Sequence, residues 1–480
     1  MGEKKSLKEK TLSGMFWKTA ERIGAQGVGF IVSTILARIL SPEDYGLIAL
    51  ISVFITISNV FIQSGLGTAL IQKVDADDLD YSTVFYCSIM ISVIAYIILY
   101  VCAPFIANFY NEPSLILIIR VLSICLIFNG INTVQNAYVS KMMQFRKFFF
   151  ATLVGTVISA FFGVYFAYKG AGVWALVIQQ MINTCIDTAM LWFTIDWKPK
   201  LMFSWKRLKG LYRFGWKLLV TGLFENFYNN VYGLIIGKIY NKEMLGLYNK
   251  GYNFPSLITS NVIGPIQTVL LPALATTQDN IENMKRVLRQ SIRLSSYVFF
   301  PILLGMAAVS DAMVGLLLTD KWNACIPFLK ISCVALSFVP IQVANIQAIN
   351  AIGRSDIYLK LEIAKEIVGY ALLIASIPFG IYAMVLGKAL QSFMAFIIDA
   401  IPNKHLFGYS ALEQLRDIIP SFILSLAMYI CVSVISMFGL NDIITLIIQM
   451  VVGIVFYIIF SVVFRIESFY TILKIIRKTN

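Results

Sequence analysis

At 480 residues, 58% hydrophobic and only 14% charged, with a mean hydropathy of +0.77, the chain is far more apolar than a soluble domain, in which about a quarter of residues carry charge. Its recurring apolar runs suit membrane-spanning helices, which need about 20 residues each, and not barrel strands, which are half as long and alternate. The net charge of +13 gathers in short loops between the runs, which points to membrane orientation and away from a nucleic-acid surface.

From the N-terminus, Lys4, Lys5, Lys8 and Lys10 precede a first apolar segment interrupted by Lys18, Glu21, Arg22 and Gln26. That pattern is unlike the core of a cleaved signal peptide. The polar breaks predict an all-α polytopic protein of fourteen spans, at 14-38, 45-71, 82-108, 114-139, 148-168, 172-195, 211-238, 244-274, 287-317, 325-350, 357-379, 381-402, 412-438 and 442-464. Alternate loops carry most of the basic residues, including Lys141, Arg146 and Lys147, then Lys198, Lys200, Lys206, Arg207 and Lys209, then Lys285, Arg286 and Arg289. These loops are expected on the cytoplasmic side together with both termini. One expected cytoplasmic loop disagrees in sign, with Asp75, Asp77, Asp78 and Asp80 beside Lys73. Trp197 and Trp205, in the longest polar connection, are expected at the lipid head groups.

A ten-residue stretch occurs twice, as Arg38-Ile39-Leu40-Ser41-Pro42-Glu43-Asp44-Tyr45-Gly46-Leu47 and, 200 residues on, as Lys238-Ile239-Tyr240-Asn241-Lys242-Glu243-Met244-Leu245-Gly246-Leu247. Trp17-Lys18 is echoed by Trp216-Lys217, and Gly172-Val173-Trp174 by Gly380-Ile381-Tyr382. Copies separated by six spans share an orientation, so two parallel six-helix lobes are expected. The first covers residues 1-198 and the second 211-404, with a linker at 199-210, and a further helix pair and basic tail occupy 405-480.

Several of these motifs resemble a known family. Ala37 to Gly46, Gly65-Leu66-Gly67-Thr68-Ala69-Leu70-Ile71-Gln72, Gly170 to Val177 and Leu270-Leu271-Pro272-Ala273-Leu274 are similar to the Wzx-type polysaccharide transporters, on the branch with the colanic-acid exporters. These belong to the multidrug/oligosaccharidyl-lipid/polysaccharide exporter superfamily. The resemblance implies a flippase of the bacterial inner membrane that carries a polyprenyl-diphosphate-linked oligosaccharide to the outer leaflet by alternating access. Its partners would be that lipid-linked glycan, membrane lipids, and a polysaccharide polymerase with chain-length machinery.

An ionisable side chain at mid-membrane costs about 2.5–3.5 kcal/mol on insertion scales, so it marks an aqueous cavity or a partner. Glu21, Arg22 and Gln26 of the first span, Glu225, Asn226 and Asn229 of the seventh, and Asn249, Lys250 and Asn253 of the eighth recur at spacings that align them on helix faces. They are the expected substrate-binding residues: amides for sugar hydroxyls, with Arg22 and Lys250 for a diphosphate. Structural pairing of Glu21 with Arg22, or Glu225 with Lys250, is the competing explanation. Arg120 suits either a cavity or the interface, Glu362 and Glu366 suit a proton carrier or, with Lys360 and Lys365, the favoured internal ion network, and Asp187 and Asp399 are expected to be solvated near helix ends.

No catalytic constellation is legible. His405 is the only histidine, and the seven cysteines lie in apolar segments without a C-x-x-C pair, so neither a metal site nor a triad is expected. The chain has no G-x-x-x-x-G-K-[ST] phosphate loop. No cofactor is expected, and a proton, sodium or substrate gradient remains as the energy source. A multidrug exporter on the same architecture would need acidic residues to dominate the cavity, and a polymerase would need a long extramembrane loop.

Overall fold

The computed structural model describes residues 7–63, 65–277 and 280–479; Lys4 and Lys5 of the expected cytoplasmic terminus lie outside them. It divides into two compact units, Met1–Gly246 and Leu247–Asn480. Among the described residues the regular structure is helical, with a helix at each of the fourteen expected places.

The first unit contains α1 (Leu7–Ile39), α2 (Pro42–Gln63), α3 (Leu66–Gln72), α4 (Asp78–Tyr110), α5 (Leu115–Leu122), α6 (Ile124–Lys141), α7 (Phe145–Tyr168), α8 (Val173–Thr194) and α9 (Trp205–Ile239), and α10 (Lys242–Ala275) begins within it. The expected second and fourth spans are each built from two pieces, α2 with α3 and α5 with α6. Helix α7 packs between α1 and α8, α6 packs on α4 and α8, and α9 packs on α2, α3 and α4. This last packing places the seventh span with the first six, so the division falls at Gly246 and not at the polar linker. Small residues allow close approach where hydrocarbon supplies no driving force for association; Gly130, for example, lies against Ser92.

The second unit holds the rest of α10 with α11 (Ile281–Ala308), α12 (Ser310–Leu318), α13 (Ile326–Ser337), α14 (Val339–Ala351), α15 (Ser355–Ser376), α16 (Ile381–Phe407), α17 (Ala411–Ile435), α18 (Asp442–Val463) and α19 (Glu467–Thr479). Its core joins Leu270, Leu288, Phe300, Phe338, Ile341 and Phe396. The last helix pair is well integrated. Helix α17 packs along α11, where Asp417 takes a two-pronged contact from Arg289 (2.6 and 2.9 Å) and another from Arg293 (2.5 Å). Helix α18 is tied to α11 through Tyr297 to Ser461 (2.7 Å) and Tyr457 to the Tyr297 carbonyl (2.9 Å).

Ten helical stretches among the described residues are long and apolar enough to cross a membrane, as befits a multi-pass membrane protein. Helices α1, α8, α9 and α15 are long enough but too polar to be counted among them. The apolar helices expose aliphatic side chains, such as Ile94, Ile97, Ile98 and Val101 on α4 and Ile447, Val451, Ile454 and Ile458 on α18. Their spacing of three and four makes one lipid-facing stripe on each helix.

The acidic loop that ran against the charge rule has a structural partner in the basic linker. Asp78 pairs with Lys200 at 2.5 Å and accepts from the Trp197 indole at 3.2 Å, while Asp77 pairs with Arg207 at 3.3 Å. Asp80 is fully buried and pairs with Lys73 at 2.5 Å. Asp77 and Asp80 also form a capping box at the start of α4, and the Asp80 N–H holds the Asp77 carboxyl below its usual range. Contrary to the expectation of an interfacial anchor, Trp197 is buried among Tyr81, Phe85 and Tyr138. Trp205 is exposed.

The two copies of the duplicated stretch meet in the first unit. A Cβ on Gly46 would stand 1.7 Å from the Lys242 carbonyl oxygen, and one on Gly246 would stand 1.9 Å from that of Pro42. The contact is reciprocal, each glycine lying against the first residue of the other's helix, so at these two positions α2 and α10 meet backbone to backbone. Beside it, the Lys242 ammonium lies 3.3 Å from Glu43 and 3.1 Å from Glu112. Gly46→Ala and Gly246→Ala should each destabilise the protein by about 1–3 kcal/mol, the usual cost of overpacking, whereas Gly27→Ala, with open space around it, should be neutral. Thermal unfolding of the purified variants in detergent checks this; unchanged midpoints for both glycine variants would show that the crossing is not tight.

Candidate functional site: a polar cavity in the first unit

Helix α6 is apolar over most of its surface, but Asn129, Asn132 and Asn136 recur at spacings of three and four and so share one face. That face opens on a cavity of about 740 Å³ lined also by Asn59 and Gln63 of α2, Thr68 of α3, Thr152 of α7, Asp187 of α8, Asn226 of α9, and Lys18 and Glu21 of α1. The volume is that of a small-molecule site, and amides dominate its polar lining.

Some of these groups hold one another. The Asn129 amide donates to Asn59 at 3.0 Å and the Asn132 amide to Thr188 at 2.8 Å. Lys18 pairs with Glu21 at 2.6 Å, with its ammonium side about half exposed. Two oxygens are left over: Asn132 Oδ1 and Asp187 Oδ1 are buried without a hydrogen-bond partner among the described residues. A buried acceptor left unmet costs about 1–3 kcal/mol, so these two oxygens are where a donor from water, an ion or a ligand gains most. Asp187 fits there because residue 155 is glycine, whose Cβ would stand 2.2 Å from Asp187 Oδ1.

The nine residues expected from the sequence are distributed unevenly. Glu21 and Asn226 line the cavity. Arg22, Glu225 and Asn229 are exposed on the same two helices, and Gln26 is half-buried; none of the four lines it. Asn249, Lys250 and Asn253 belong to the second unit, where Lys250 is only 5% exposed, with its ammonium 5.6 Å from the Trp322 ring centroid. A lysine packed in this way is not presented to a ligand of the cavity. Asn249 is half-buried and Asn253 exposed.

Other residues also depart from expectation. Asp187 is a cavity residue and not a solvated helix end. Asp399 is fully buried, 3.3 Å from Lys365, which also pairs with Glu362 at 2.8 Å; the ion network expected around Lys365 therefore extends to α16. Next to it, Asn403 donates to Asn345 at 2.6 Å and Asn345 to Gln414 at 2.9 Å. Arg120 stacks over Tyr100 at 4.3 Å from the ring centroid. The amide face of α6 was readable from its spacing but did not stand out, because no ionisable residue accompanies Asn129, Asn132 and Asn136 as Arg22, Glu225 and Lys250 accompany the amides of the other three faces. Among the described residues no group of three or more His, Cys, Asp or Glu is placed to hold a metal ion.

The fold and sequence both have relatives. The structure is similar to the lipid II flippase MurJ in its inward closed conformation, with a TM-score of 0.76 over 94% of this chain and 98% of that one at 15% identity. It is also similar to an inward-facing multidrug resistance MATE transporter of the MOP superfamily, with a TM-score of 0.63 over 81% and 96% of the two chains at 13% identity. At these identities the likeness is one of fold. In sequence the chain is 26% identical to the lipopolysaccharide biosynthesis protein WzxC of Escherichia coli (strain K12), over 88% of this chain and 86% of that protein. It is 22% identical to the teichuronic acid biosynthesis protein TuaB of Bacillus subtilis (strain 168), over 73% of each. Residues 35–327 match the family model described as polysaccharide biosynthesis protein, which is more than half of the chain. On that match, and in agreement with the motifs around Gly46, Gly65 and Gly172, the chain belongs to the polysaccharide biosynthesis protein family.

Proposed function

We propose that the protein is a flippase that moves a polyprenyl-diphosphate-linked oligosaccharide from the cytoplasmic to the outer leaflet of a bacterial inner membrane. The observation that carries this reading is the amide-lined cavity. Sugar hydroxyls both donate and accept, and a side-chain amide offers both in one group, whereas a site for small cations would be dominated by carboxylates. The names of the family and of WzxC and TuaB support a polysaccharide pathway. The loop charges support cytoplasmic termini, with the basic linker and α19 on that side. Lobes rocking in alternating access, with a polymerase and chain-length machinery consuming the product, complete the reading.

The glycan enters the cavity against α6 while the polyprenyl tail stays in lipid. Lys250, buried within the second unit, is not part of the diphosphate site in this reading. Lys18 is the cation that lines this cavity, with Arg22 exposed on the same helix outside its lining, and Lys18 meets the diphosphate in this reading. Coupling to a proton or sodium gradient falls to Asp187, which lines the cavity together with Glu21 and has one buried oxygen without a hydrogen-bond partner among the described residues. A carboxylate that is neutral in one state and charged in another changes the cost of exposing the cavity, and this is how an ion gradient biases a two-state transporter.

Reconstitution in vesicles with a defined lipid-linked oligosaccharide tests the reading. Asn136→Ala and Gln63→Ala, each removing a cavity side chain that makes no hydrogen bond among the described residues, should slow translocation about fivefold to tenfold, the loss of one net hydrogen bond of about 1–1.5 kcal/mol, with unchanged thermal midpoints. Wild-type vesicles that leave the glycan on its original leaflet would overturn the function itself. Asp187→Asn should retain slow equilibration and lose its acceleration by an imposed ion gradient; a variant that still responds fully to the gradient would take the coupling role away from Asp187.

A further inference from the structure

A second cavity of about 770 Å³ lies in the first unit, between the end of α3 and the start of α9. Its walls combine Ala69 and Leu211 with three cations, Lys73, Lys206 and Arg207, and the amide of Gln72. It shares no lining residue with the amide-lined cavity, and nothing in the transport reading uses it.

The charges around it do not cancel. Lys73 pairs with Asp80 at 2.5 Å, and Arg207 divides its guanidinium between Asp77 at 3.3 Å and Asp80 at 3.6 Å. Lys206 is exposed and has no ion pair among the described residues, so three cations face two carboxylates. The two acids also hold the neighbouring cations in place, which reduces the ordering cost of binding an anion. Exposed aromatics mark the depth. Trp205, next in sequence to Lys206, is 65% exposed and its ring lies 5.2 Å from that of Phe203, and an exposed indole, apolar with one N–H, settles at the level of lipid head groups. A cationic pocket with apolar walls at that depth matches an amphiphile with a phosphorylated head.

We propose that this pocket is a docking site for the phosphate head of a membrane lipid in the cytoplasmic leaflet, with Lys206 as its principal contact and Arg207 and Lys73 as the supporting cations. The ligand chemistry is a phosphate or diphosphate ester on a lipid chain. Two sources share it, the lipid-linked diphosphate substrate and a bulk anionic phospholipid. The first source rests on the flippase reading; the second does not.

Native mass spectrometry of the full-length protein in detergent, titrated with undecaprenyl diphosphate and separately with phosphatidylglycerol, tests the site. Lys206→Gln should weaken binding of one of the two lipids about fivefold, the factor for about 1 kcal/mol per interfacial cation. Lys206→Glu should weaken it further, while Lys209→Gln, outside the pocket, should have no effect. Loss of undecaprenyl diphosphate binding alone assigns the pocket to the substrate, and loss of phosphatidylglycerol binding alone assigns it to bulk lipid. Unchanged binding of both lipids by both Lys206 variants, at wild-type thermal midpoints, overturns the proposal. Translocation by the wild-type protein, measured in the same preparation, separates that result from failure of the flippase reading.

Discussion

Hydrocarbon offers a polar group no water, so every buried donor, acceptor and charge must find its partner inside the protein. Helices meet this demand for the backbone, and local side-chain networks meet much of the rest. Asp399 is paired by Lys365, the amides of Asn345, Asn403 and Gln414 bond in series, and Asp417 is gripped by two arginines and Tyr409. Buried oxygens without a hydrogen-bond partner among the described residues remain in both units, such as Asn403 Oδ1 in the second and, on two residues that line the cavity, Asn132 Oδ1 and Asp187 Oδ1 in the first.

The same demand accounts for the helices that look least like membrane spans. Helices α1, α8, α9 and α15 carry the polar residues that keep them out of the set selected by length and composition. Three of them contribute Lys18, Glu21, Asp187 and Asn226 to the cavity, and the fourth carries Lys365. A purely hydrophobic bundle would insert more easily and would have no polar cavity.

Charge and close packing organise the two sides of the first unit. At the linker, carboxylates of one loop hold the cations of another while leaving Lys206 in excess. Exposed ion pairs contribute about 0–1 kcal/mol each, so the buried Asp80 and the indole of Trp197 do more to anchor the linker than the surface pairs around them. Where α2 and α10 begin, Gly46 and Gly246 bring backbone against backbone, and a side chain at either position has no room.

The membrane class, the helical architecture and the places of fourteen helices were legible in the sequence, because hydrophobicity and its interruptions act locally along the chain. The duplicated decapeptide was legible too, and with it the family. Glu21 and Asn226 could be picked out as polar residues on helix faces. Their partners could not, because a cavity is made by whichever faces packing turns toward one another. Periodicity leaves that rotation undetermined: the face of α10 bearing Lys250 turned into the packing of its own unit, and the face of α6 bearing Asn129, Asn132 and Asn136 turned toward Asp187. The sequence by itself determined that this chain spans a membrane and carries polar faces in its spans. Only tertiary structure decided which of those faces meet, since helix rotation depends on contacts between residues far apart in the chain.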